Sequence, residues 1–108
     1  MATKRQIEMD FAQAKKQADA LDNLAARLKR LSENEFAGTM QDVSNHWKGQ
    51  NAQQYLNKAS RLQSKMTASA KSLNSIAGNI RTAAKRMRDA ELRALQIAQQ
   101  RKYGGGSR

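Results

Sequence analysis

Very little in this chain could perform covalent chemistry. His46 is the single histidine among 108 residues and cysteine is absent, so the common zinc donor sets cannot be assembled. The carboxylates are scattered along the chain, Asp19/Asp22 and Glu33/Glu35 among them. They read as solvating charges on helix surfaces rather than as a general acid and base. Gly104-Gly105-Gly106 follows a helical stretch instead of preceding one, the wrong order for a phosphate-cradling loop. The residues therefore indicate no enzyme, no metal and no cofactor.

What could act is charge. Lys and Arg exceed Asp and Glu by 11, and the excess is confined to one part of the chain. Residues 1–45 balance seven basic against seven acidic groups, whereas residues 46–108 carry thirteen basic groups against Asp89 and Glu91. Such a block suits an anionic partner. Arg81, Lys85 and Arg88 share one helical face, with Arg86 and Arg93 nearby. Binding of nucleic acid or an anionic surface is thus the alternative function. No aromatic residues interleave with those charges and no base-reading motif accompanies them, which leaves that alternative the weaker one.

The elements that carry these side chains read as two helices. Thr3-Lys4-Arg5-Gln6 fits a capping box, and Ile7, Phe11, Ala14, Ala18, Leu21, Ala25 and Leu28 then recur in steps of four and three. The rhythm slips after Ala25: the next member in phase, Phe36, lies eleven residues on, followed by Met40, Val43 and Trp47. A slip of this kind predicts a local change in winding within a continuous, slightly bent helix. In the second half Ala59, Met66, Leu73, Ile80, Met87 and Ala94 are spaced by sevens. So are Tyr55, Leu62, Ser69, Ile76, Ala83, Ala90 and Ile97, and Ala70, Ala77, Ala84 and Ala98 add a small-residue row.

The expected architecture is all-α: a helix-turn-helix hairpin over 1–102, with helices over about 4–43 and about 51–100, a corner over about 44–50, and a flexible glycine-rich tail over 103–108. A hairpin of two such helices leaves part of its three-row apolar face wet, and dimerisation into a four-helix bundle would cover it. The expected hairpin and dimer core is Phe11, Leu21, Leu28, Tyr55, Leu62, Met66, Leu73, Ile76, Ile80 and Met87. Lys58, Lys65, Arg86 and Arg93 flank that seam and would favour an acidic helical partner over a second copy. Leu92 and Leu95 fall off the seam and form a possible docking patch. Gly38 and Gly78 interrupt the helices either to let another helix approach or as tolerated weak points.

At the corner, Trp47-Lys48-Gly49 joins the only tryptophan to a residue with free backbone angles. With Ala52 and Tyr55 it resembles the W-x-G corner of the WXG family of type VII secretion substrates, the early-secreted-antigen-like proteins. Chain length, the central position of the motif and the start of the chain, which has no apolar leader, agree with that resemblance. The resemblance implies a noncatalytic hairpin, made in the bacterial cytoplasm and exported through a secretion ATPase as a homodimer or heterodimer. Its role there would be secreted effector or carrier of a larger protein. One feature of the family is missing: many members carry Y-x-x-x-(D/E) after the second helix, but Tyr103 precedes Ser107 and Tyr55 precedes Ala59. A partner would have to supply that element, or a different signal serves.

Overall fold

The computed structural model describes residues 2–105, with side chains placed for 2–101. Among the described residues there is helix and no strand. Helix α1 spans Lys4–Arg30, a π-helical turn spans Leu31–Phe36, α2 spans Ala37–His46 and α3 spans Gln50–Gly105. The first helical run thus extends slightly beyond the expected 43, and the corner narrows to Trp47–Gly49. Helix α3 takes in Tyr103–Gly105, beyond the expected end near 100. The rest of the expected tail, 106–108, lies outside the described residues.

The start of α1 follows from its cap. The Thr3 hydroxyl accepts a bond from the Gln6 backbone N–H at 3.1 Å, and the Thr3 carbonyl accepts from Ile7 at 3.0 Å. One half of the capping box is therefore present.

The slip in the apolar rhythm is absorbed by the π turn. Such a turn closes i→i+5 bonds and holds one residue more than an α-helical turn. That extra residue rotates everything after it by about 100° relative to an uninterrupted helix. Phe36, Met40 and Val43 come out half-buried as a result. Without it, Met40 would turn away from the row formed by Ala18, Ala25 and Ser32.

The chain divides into two compact units. The corner unit, Ala20–Ile76, holds the end of α1, the π turn, α2, the corner and the first part of α3. Its two helical arms run antiparallel, and Ser32 is its most deeply buried polar residue, at 0% exposure. The Gln63 side-chain amide donates to the Ser32 carbonyl at 2.9 Å. Ser32 and Thr67 hydroxyls share a 3.4 Å bond, and the Thr67 hydroxyl donates to the Gln63 carbonyl at 3.1 Å. A polar group buried between helices is tolerated only when paired, and here each one is. Ala25, Ala52, Ala59 and Ala70 are the buried apolar residues of this unit.

The terminal unit pairs Met1–Asp19 with Ala77–Arg108. Among its described residues, Ile7, Ala18 and Ala77 are the buried apolar ones. Arg81 donates to Asp19 at 2.6 Å, and the Phe11 ring is flanked by the Arg88 guanidinium at 4.2 Å and the Lys15 ammonium at 5.4 Å. As α1 residue numbers fall from Asp19 to Phe11, their α3 neighbours rise from Arg81 to Arg88. This pairing is antiparallel too.

Neither Gly38 nor Gly78 supports a close approach within the chain. A Cβ built on Gly38 or Gly78 meets nothing within 4 Å. Gly38→Ala and Gly78→Ala should each stabilise the helix by about 1 kcal/mol, seen as a raised melting temperature in circular dichroism. A fall would show that each glycine serves a contact with another molecule.

Candidate functional site

The corner is built from chain reversal within three residues. Helix α2 ends because Trp47 adopts extended backbone angles, φ −108 and ψ 136, while its N–H still reaches the Val43 carbonyl at 2.8 Å. His46 adds a bond from its Nδ1 to the Asp42 carbonyl at 2.9 Å, holding the last turn of α2. Gly49 then takes φ 104, in the region that favours glycine, and its carbonyl accepts from Gln53 N–H at 3.1 Å to begin α3. No atom crowds a Cβ at Gly49, so glycine is required there for its angle rather than for space.

The two aromatic residues of the motif meet at the surface. The Trp47 and Tyr55 rings have centroids 6.1 Å apart with planes tilted by 53°. This separation lies within the range of favourable ring pairs. Trp47 is nevertheless 57% exposed and Tyr55 45%. Ala52 is buried in the first turn of α3.

The expected core separates into two groups. Phe11, Leu21, Leu28, Met66, Leu73 and Ile80 are half-buried between helices. Tyr55, Leu62, Ile76 and Met87 stand exposed in the single chain, Leu62 at 50% and Met87 at 62%. For Tyr55, Leu62 and Ile76 the cause is the choice of contact row; Met87 belongs to the row of Met66, Leu73 and Ile80 and is exposed despite it. In α3 the intrachain contact uses the row Ala52, Ala59, Met66, Leu73 together with the small-residue row at Ala70 and Ala77, where short side chains let the backbones approach. The row from Tyr55 to Ile97 lies to one side, with Lys58, Lys65, Arg86 and Arg93 exposed beyond it.

In the corner unit the exposed row has a counterpart on α1. Leu24 and Leu31 follow the half-buried Leu21 and Leu28 by three residues, as Tyr55 and Leu62 follow Ala52 and Ala59. Two antiparallel helices packed through equivalent rows are related by a two-fold axis normal to their common plane. Equivalent rows then fall on the same side, so these leucines and the α3 row form one open apolar face. In the terminal unit, Leu92 and Leu95 are half-buried beside Lys4, Gln96 and Gln99 in a shallow hollow.

The bonded trio Ser32, Gln63 and Thr67 was not anticipated from the sequence. Its signal was available: Phe11, Ala18 and Ala25 extend by seven to Ser32.

The family model described as WXG100, proteins of 100 residues with WXG, matches residues 6–92. No curated protein and no solved structure matches.

The geometry separates the two motif residues. Gly49→Ala should cost about 1–3 kcal/mol, because alanine must hold a left-handed angle. Trp47→Ala should cost less than the ~3–5 kcal/mol typical of a buried aromatic, since most of the indole is already in water. Urea denaturation of the two variants checks the order. A larger loss for Trp47→Ala would mean that the indole is buried in solution.

Proposed function

The chain belongs to the WXG100 family, the small substrates of type VII secretion, and on that premise we propose that it is a noncatalytic helical cargo exported with a helical partner on its open face. The observation that carries this reading is the family match over 6–92, with the W-x-G triplet forming the only non-helical corner between described helices. Family members are secreted and pair with one another. Among the described residues no helix is long and apolar enough to cross a membrane, which is compatible with passage as a soluble helical body.

Two roles fit the open face: secreted effector, or carrier that escorts a larger protein. In both, the partner covers Tyr55, Leu62 and the leucines of α1 and contributes the export element absent after Tyr103. Leu92 and Leu95 already pack partly against the start of α1, so a docking patch there would use only their outer edges. The nucleic-acid alternative gains no observation. Arg81 is engaged by Asp19, and Arg88 by Asp89 and the Phe11 ring, which withdraws both from phosphates.

Export itself is the test. In a host with an active type VII system, Trp47→Ala should remove most of the secreted protein while its cellular level and helicity stay near those of the parent. Secretion that persists without the membrane ATPase would overturn the reading. Deleting the chain separates the roles: a carrier's larger partner stays in the cell, an effector's does not.

A further inference from the structure

Resting on that reading, we infer that the open face of the corner unit is built for one acidic, amphipathic helical partner and discriminates against a second copy of this chain. Two sockets on the face carry the inference. On α1, Leu24, Leu28 and Leu31 line a hollow whose rim is Arg27 and Arg30. On α3, Ala68, Ser69, Ser72 and Leu73 line a second hollow with Lys65 on its rim. Ser69 stands in the exposed row between Leu62 and Ile76, so a small residue leaves a gap where its neighbours project.

Each socket therefore pairs an apolar floor with a cationic edge. An apolar knob from a partner helix fills such a hole, and a carboxylate one turn or less away on that helix reaches the rim. Glu35 is the one carboxylate lining either hollow. Lys58, exposed beside Leu62, extends the positive edge. A second copy would bring Arg27, Lys58 and Lys65 against residues of the same sign in either orientation of two matching faces. An acidic partner meets them all with opposite charge, gaining specificity and faster encounter. Arg86 and Arg93 belong to the terminal unit and lie outside this footprint.

A charge-reversed copy of the full chain serves as the probe. Arg27→Glu, Lys58→Glu and Lys65→Glu together keep both sockets and their apolar floors while reversing Arg27 and Lys65 on the rims and Lys58 beside them. Sedimentation of parent, variant and their equimolar mixture, at low and at high salt, reads the outcome, with circular dichroism confirming helicity. The mixture should form a one-to-one complex at least about tenfold tighter than either protein alone, weakening as salt rises. A second variant, Arg86→Glu with Arg93→Glu, should gain no such preference. A parent homodimer as tight as the mixture and indifferent to salt would overturn the inference but keep the open face as an interface. Helical protein that associates in no combination would overturn both this inference and the function it rests on.

Discussion

One neighbouring helix cannot cover an apolar face three rows wide. That limit organises the whole chain. Helix α3 carries three parallel rows, and the contact within the chain takes the alanine row at Ala70, Ala77 and Ala84 together with the row of Ala52, Ala59, Met66 and Leu73. Small side chains allow close backbone approach, so the tightest intrachain fit uses them. The bulkier row of Tyr55, Leu62, Ile76 and Ile97 is left over. The same selection repeats on α1, where Ala18 and Ala25 are buried and Leu24 and Leu31 are exposed. Several of the larger hydrophobes thus sit outside smaller ones, unlike an ordinary globular core. The arrangement makes sense when the outer rows are meant for another molecule.

Keeping those rows aligned requires correct phase along α1, and here the π turn and the polar trio act together. The extra residue within Leu31–Phe36 returns Phe36, Met40 and Val43 to the seam. Immediately at its start, Gln63 binds the Ser32 carbonyl and Thr67 binds the Ser32 hydroxyl. These bonds need Ser32 opposite Gln63, so sliding one arm past the other would leave buried polar groups without partners. Alanine rows tolerate sliding, since one methyl resembles the next. The polar layer supplies the register that they lack.

The all-α class, the two helical runs and the corner were legible because each depends on local pattern: heptad spacing, a capping threonine, and a glycine after the only tryptophan. The change in winding after Ala25 was legible as a slip, but not as a π turn, since several helical distortions absorb one extra residue. Which row faces inside was not legible. Tyr55, Leu62 and Ile76 look like core by size, and hydrophobicity alone ranks them above Ala52, Ala59, Ala70 and Ala77. The decision depends on how closely two backbones can approach, which is a property of the pair rather than of either helix. The exposure of Trp47 was hidden for a related reason: the corner closes through Gly49 and main-chain bonds, so the indole is not needed to hold it.

The same choice of rows bears on stability. Among the described residues, Ile7 is the only buried apolar residue with a large side chain; Ala18, Ala25, Ala52, Ala59, Ala70 and Ala77 each add a single methyl. A buried methyl contributes roughly 0.8 kcal/mol, less than the about 1–2 kcal/mol cost of ordering one residue's backbone. Helical hydrogen bonds offset part of that deficit, but an alanine seam alone leaves the lone chain with little margin. The larger gains, from Leu24, Leu31, Leu62 and Ile76, become available only when a partner removes them from water. Were a partner to cover that face, association and full stability would be coupled, and the chain would be most loosely held together when it is alone.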